Sequence, residues 1–323
     1  MARPIRLLPR NSSRRRLSVY IALGAFVAVD MLLIVLALGW PRVGAVVEAP
    51  SGMPKSDSLA SGSTPTATPP SSLAGETVLP LPPSRLLSAV DENMAWRAAT
   101  GACPATLASP ELTTDGGATW KSTDATGLAK VTAVQRLVVT SESVVELVGL
   151  AESDCAPQFV KTFVAGDNYS SYPEQLAGTW FIDPADRGTI HSPAGIAKAP
   201  CETVVTLAVR DDRSAAALCA DGRIFFTSDA AAWSVASPIP GVVNLTGTDT
   251  GYLAGAVGRA ECSGVKVLML TSALESTDAG CFLSASPPAS LSGNVALSGA
   301  DGTIWLWVND ALIRSIDSGA NWK

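Results

Sequence analysis

TTDGGATW, Thr113–Trp120, returns late in the chain as SIDSGANW, Ser315–Trp322. Both fit the template Ser/Thr-x-Asp-x-Gly-x-Thr/Asn-Trp. Thr113, Asp115, Gly117 and Trp120 are matched by Ser315, Asp317, Gly319 and Trp322. A worn copy, Thr227-Ser-Asp229-Ala-Ala-Ala-Trp233, is one residue shorter and lacks the Gly; Ser276-Thr-Asp278-Ala-Gly280 keeps the first half without the Trp. These residue types describe a turn. An Asp carboxylate accepts hydrogen bonds from backbone N–H groups two or more residues on. Gly takes a backbone angle that a side chain resists, and Trp lays a large apolar face on neighbouring strands. Such a turn is structural and needs no substrate.

The text around these turns is β-like. From about residue 86, short apolar runs such as VTAVQRLVV (131–139), TVVTLAV (203–209), VKVLML (265–270) and TIWLWV (303–308) alternate with turn signals. Asp221-Gly222 separates two runs and Asp301-Gly302 precedes another, both hairpin signals. No long amphipathic helical pattern intervenes, so an all-β domain is expected over 86–323.

The repeated turn resembles the Asp-box, or BNR, repeat of sialidases and other β-propellers, where it links the third and fourth strands of a blade. The domain is also similar to membrane-anchored bacterial β-propeller proteins, through Ala95-Trp96-Arg97 and Leu218-Cys-Ala-Asp-Gly222. More distantly it resembles propeller assembly factors of photosynthetic membrane complexes, which bind proteins. The resemblance implies a β-propeller. Asp115 to Asp229 spans 114 residues and Asp229 to Asp317 spans 88. Each gap suits two blades of roughly 40–50 residues, which makes about five blades. A propeller must close its ring. TVLPLPPSRLLSAV (77–90) can supply a last outer strand; otherwise the ring stays imperfect or holds fewer regular blades.

Upstream the pattern changes. Residues 1–16 carry six Arg and no acid, and 17–40, LSVYIALGAFVAVDMLLIVLALGW, are apolar. That run is long enough to cross a hydrocarbon core of about 30 Å, and longer than the apolar region of a cleavable signal, about 7–15 residues. Positive charge before the span keeps 1–16 in the cytoplasm and sends the rest across. Asp30 interrupts the span. With Gly24 and Ala28 it reads either as a contact for a second membrane helix or as a tolerated, protonated acid. Residues 41–85 form a linker rich in Pro, Ser and Thr, an extended tether. The expected order is therefore basic cytoplasmic tail (1–16), transmembrane helix (17–40), linker (41–85) and extracytoplasmic propeller (86–323) at the cell membrane. Residues 86–323 carry 25 acids against 14 Lys or Arg, which speaks against a nucleic-acid partner.

All six cysteines, Cys103, Cys155, Cys201, Cys219, Cys262 and Cys281, lie beyond the span. An even count on one side of a membrane reads as disulfides in an oxidising compartment; six buried free thiols are the alternative. No C-x-x-C pair suggests zinc. Cys201 and Cys219 flank two strands around Arg210-Asp-Asp-Arg213, and Cys262 and Cys281 bracket a similar stretch. Local pairing then leaves Cys103 with Cys155, joining the first two blades.

Catalytic signatures are weak. Sialidases resemble one another in an Arg triad, a Tyr–Glu pair and an Arg-Ile-Pro motif, and Tyr169, Tyr172 and Tyr252 sit in no matching context. His191, the one histidine, reads as a loop residue in GTIHSPAG without a nucleophile elbow. No phosphate loop, dinucleotide fingerprint or calcium loop occurs, so no cofactor or metal is expected. Trp305 and Trp307 point to one side of a strand, either into the core or as a platform facing a ligand. The expected function is a membrane-anchored binding or scaffold module without enzymatic activity, its ligand an envelope protein or glycan. The alternative is a divergent glycoside hydrolase.

Overall fold

Six antiparallel sheets follow one another along the chain, one more than the turn spacing suggested. The computed structural model describes residues 75–323 apart from Ser237. The basic tail, the span 17–40 with Gly24, Ala28 and Asp30, and linker residues 41–74 lie outside the described residues. Among the described residues no helix is long and apolar enough to cross a membrane.

Blade 1 is β1 (Arg85–Ala89), β2 (Ala95–Ala99), β3 (Glu111–Thr113) and β4 (Lys121–Ser122). Blade 2 is β5 (Val131–Val139), β6 (Val145–Ala151), β7 (Pro157–Thr162) and β8 (Ser170–Ser171). Blade 3 has three strands, β9 (Phe181–Ile182), β10 (Thr189–Ser192) and β11 (Gly195–Lys198). Blade 4 is β12 (Val204–Val209), β13 (Ala215–Cys219), β14 (Ile224–Thr227) and β15 (Ser234–Val235). Blade 5 is β16 (Val242–Gly247), β17 (Tyr252–Ala256), β18 (Gly264–Leu270) and β19 (Ser276–Leu283). Blade 6 is β20 (Val295–Ala300), β21 (Thr303–Val308) and β22 (Ala311–Ser315).

The first strands of the blades lie side by side in chain order, and β20 meets β1 to close a propeller. The compressed third blade explains the miscount. Asp115 and Asp229 are three blades apart, not two, because all of blade 3 fits into 181–198. Each blade has neighbours on both faces, so its strands are apolar on both. Along β13 every residue, AAALC, is buried. Six apolar clusters fill the six seams between blades.

The closing seam holds Leu87, Ala95, Ala296 and Trp305. Across it the Ala89 N–H donates to Ser298 Oγ at 2.8 Å, and the Trp305 indole N–H donates to the Asp91 carbonyl at 2.9 Å. Residues 77–90 do not supply an outer strand. β1 is the innermost strand of blade 1 and pairs only with β2. Pro80, Pro82 and Pro83 lack the N–H groups a ladder needs. Residues 78–84 instead strap the end of blade 6. Val78 is buried in the seam between blades 5 and 6, Leu81 N–H donates to Ser292 Oγ at 3.0 Å, and Ser84 N–H donates to the Gly293 carbonyl at 2.8 Å.

The two sharp turns share their hydrogen bonds. The hydroxyls of Thr113 and Ser315 accept from the N–H of Gly117 (2.9 Å) and Gly319 (2.8 Å). Asp115 and Asp317 accept from the N–H of Thr119 and Asn321, both at 2.9 Å. In the worn copy Asp229 accepts from Ala231 and Ala232 N–H at 2.9 and 2.8 Å. Trp120, Trp233 and Trp322 each pack into the seam preceding their own blade. The half copy at Ser276–Gly280 is not a turn. It lies in β19, where Asp278 pairs with Lys266 at 2.9 Å. Blade 5 turns at Thr271, whose hydroxyl accepts from Ala273 and Glu275 N–H. Blade 2 holds a copy the template missed, Thr162-Phe-Val-Ala-Gly166-Asp-Asn168-Tyr169. Thr162 Oγ1 accepts from Val164 and Gly166 N–H, and Tyr169 packs in the preceding seam. The constant part of the turn is the Ser/Thr hydroxyl, buried in every copy but the one at Thr271, while the Asp varies.

Asp115 and Asp317 are both held down to about 2, from 3.8, Asp115 first by the Thr119 hydroxyl and Asp317 first by Ser315. A carboxylate depressed on folding stabilises above its unfolded value and loses that contribution as pH falls through its folded value. The melting-temperature gap between the protein and the double variant Asp115→Asn/Asp317→Asn should be constant above 3.8 and close as pH falls from there to about 2. Melting curves across that range check this, and a gap that persists unchanged would count against the carboxylates as the turn's acceptors.

Candidate functional site

The inner strands pair on one side only, so their free edges face a central channel of about 880 Å³, lined from all six blades. Three of these strands are bulged. The register shifts between Thr132 and Arg136 in β5, between Val204 and Thr206 in β12, and between Val242 and Asn244 in β16. A bulge re-aims the side chain next to it. Arg136, Thr206 and Asn244 each follow the shift, and each stands three residues before the last residue of its strand. They therefore occupy one level of the channel, and all line it.

Their hydrogen bonding is incomplete. Among the described residues Arg136 makes neither a hydrogen bond nor an ion pair; burial pushes its guanidinium down to about 10, an effect partly offset by Glu146 and Asp212 nearby. It stays cationic at neutral pH. Thr206 is 8% exposed and its hydroxyl has no partner. Arg85 Nε and Arg210 Nε are also buried at the channel without partners. Every partnerless buried side-chain atom facing the channel among the described residues is thus an N–H or a hydroxyl. Arg187 differs, since its Nε and Nη2 donate to the Val204 and Val205 carbonyls at 2.8 Å each.

Four acids line the channel; the carboxylates of Asp212 and Asp249, exposed on the turns after β12 and β16, have no partner among the described residues, and the other two are engaged. Glu146 pairs with Lys161 at 2.7 Å. Asp211 is held below the usual carboxylate range, first by the Arg213 N–H and then by Ser214, against the opposing effect of burial.

The tryptophans singled out from sequence are not at this site. Trp305 is 0% exposed in the closing seam, because β21 is the middle strand of its blade and is covered on both faces. It faces no ligand. Trp307 shares its side, half-buried, with the Arg85 and Arg97 guanidiniums over its ring at 4.7 and 5.1 Å. His191 is not in a loop but in β10, stacked on Phe181 at 4.0 Å with Nε2 3.0 Å from Asp183 Oδ2. The cysteines form three disulfides, Cys103–Cys155, Cys201–Cys219 and Cys262–Cys281, with Cα separations of 5.9, 6.3 and 5.8 Å. Arg136 was missed from sequence. Its signal was the polar pair Gln135-Arg136 interrupting VTAVQRLVV.

No family model matches the chain, and no curated protein matches it. Solved structures do match. YCF48 bound to D1 peptide is 17% identical, covering 77% of this chain and 83% of that one, with a TM-score of 0.39. The GH74 xyloglucanase from Xanthomonas campestris is 15% identical, covering 78% of this chain but 46% of its own length, with a TM-score of 0.38. The Aleuria aurantia lectin in complex with Fucalpha1-6GlcNAc is 10% identical, covering 77% of this chain and 96% of that one, with a TM-score of 0.44. What this chain shares with these proteins is the all-β propeller fold.

Proposed function

We propose that the propeller is a binding module without enzymatic activity, held outside the cytoplasm by the span 17–40 and the linker 41–85. Its ligand, an envelope component, enters the central channel. The observation that carries the reading is the set of buried groups left without partners at the channel, Arg85 Nε, Arg210 Nε and the Thr206 hydroxyl. An unsatisfied buried donor costs about 1–3 kcal/mol, which a ligand bearing acceptors recovers. Hydrolysis of a glycoside asks instead for two free carboxyl groups, one of them raised to act as an acid. Glu146 is tied to Lys161 and Asp211 is shifted the other way; the two remaining channel acids, Asp212 and Asp249, sit on exposed turns, and the assay for released reducing ends decides whether they act as such a pair.

A photo-cross-linking residue at Gln135, on the channel, should capture an envelope component in intact cells. The same residue at Ile196, on the exposed edge strand β11, should not. A reporter fused after Lys323 should be active only when exported. Equal capture from both positions, release of new reducing ends from cell-wall glycans by the purified chain, or a reporter active in the cytoplasm would each overturn part of this reading.

A further inference from the structure

We propose that the channel binds the carboxylate of a peptide, with the Arg136 guanidinium as its counter-charge and the Thr206 hydroxyl as a second donor. The inference deepens the binding reading and rests on it. Three observations lead to it. The first is chemical. Arg85 Nε, Arg210 Nε and the Thr206 hydroxyl are buried at the channel without partners, and the half-buried Arg136, charged and in no hydrogen bond or ion pair, can match a carboxylate by two parallel N–H···O bonds. The second is architectural. Bulges in β5 and β12 bring Arg136 and Thr206 to one level, at the cost of a regular ladder in each inner strand. Ala133, inside the β5 bulge, takes a φ of +42°, a conformation an alanine resists. The third concerns charge. Glu146 and Asp212 lie close enough to act on Arg136, so they repel the two charges of a phosphate more than the single charge of a carboxylate.

The same walls favour a peptide over an acidic sugar. Sugars are gripped by exposed aromatic faces. The channel's aromatics, Trp180 and Phe181, are only 2% and 3% exposed. The free edges of the inner strands instead offer backbone N–H and C=O groups, which an extended peptide can pair with.

The test uses the full chain in detergent micelles. Two mixtures of N-acetylated random hexapeptides are passed over it, identical except that one ends in a free carboxylate and the other in an amide. Retained peptides are counted by mass spectrometry. The acid mixture should be retained at least tenfold over the amide mixture. Arg136→Gln should abolish the difference, Arg136→Lys should keep part of it, and Thr206→Val should reduce it several-fold. Unchanged melting curves and intact disulfides in each variant show that the fold survives. Equal retention of acid and amide mixtures would overturn the carboxylate while leaving the binding reading in place. Retention of glucuronic-acid oligomers but of no peptide would overturn the peptide. Retention of nothing overturns the proposal, and capture from Gln135 in cells then decides separately whether the channel binds at all.

Discussion

Trp305→Ala should destabilise the propeller by about 3–5 kcal/mol, near the upper end for a single core truncation. For a domain of this size that lowers the melting temperature by roughly 10 °C. Trp305 is among the largest side chains with no exposure, and it sits in the seam where the ring closes. Every other seam joins blades that are also neighbours in sequence. This one joins β20 and β1, whose separation in the chain is nearly that of the whole domain. A cavity here loosens the contact that converts an open row of blades into a ring. Trp305→Phe separates two effects. It keeps most of the packing and drops the hydrogen bond to the Asp91 carbonyl, and should cost only about 1–2 kcal/mol. Calorimetric unfolding of both variants checks the order. If Trp305→Ala melts within a degree or two of the parent, the seam at Trp305 does not hold the ring.

How far the sequence could be read follows from what its signals encode. The turn at Asp115 and Asp317 was legible because its hydrogen bonds are local, made within six residues of Thr113 or Ser315. The template placed its weight on Asp and Trp, the conspicuous residues. The structure places it on the Ser/Thr hydroxyl, so the copy at Thr162 was passed over and the strand at Ser276 was mistaken for one. Blade number was misread because period arithmetic assumes equal blades, and blade 3 is shorter than the rest. Ring closure depends on contacts between the two ends of the domain, which no local pattern records. The channel residues were the least legible. Arg136 faces the axis only because β5 is bulged, and a bulge leaves little trace in a sequence that otherwise alternates well. For Trp305 the sequence left core and platform open: its side of the strand was read correctly, but the blade packed against that side, which decides for the core, was invisible.

Removing the Cys103–Cys155 bridge, as Cys103→Ser/Cys155→Ser, should cost more than removing either of the others. The loop-entropy account gives about 4 kcal/mol for its 52-residue separation, against about 3 kcal/mol each for separations of 18 and 19. The geometry points the same way. Cys201–Cys219 and Cys262–Cys281 each staple strands of one blade that already pair, whereas Cys103–Cys155 ties the loop after β2 to the turn between β6 and β7, and so holds blade 1 to blade 2. Melting of the three double variants under oxidising conditions ranks them. A larger loss from a within-blade bridge would mean that native packing, not chain entropy, sets the order. Together the three bridges amount to about 10 kcal/mol, comparable to the whole stability of an ordinary domain, 5–15 kcal/mol. The propeller should therefore reach its folded state only where thiols oxidise. If the span exports the domain as proposed, a version lacking residues 1–40 stays in the cytoplasm and should accumulate as protease-sensitive protein with six free thiols, while the full chain resists proteolysis. Equal resistance in the two compartments would show that the fold does not depend on its disulfides.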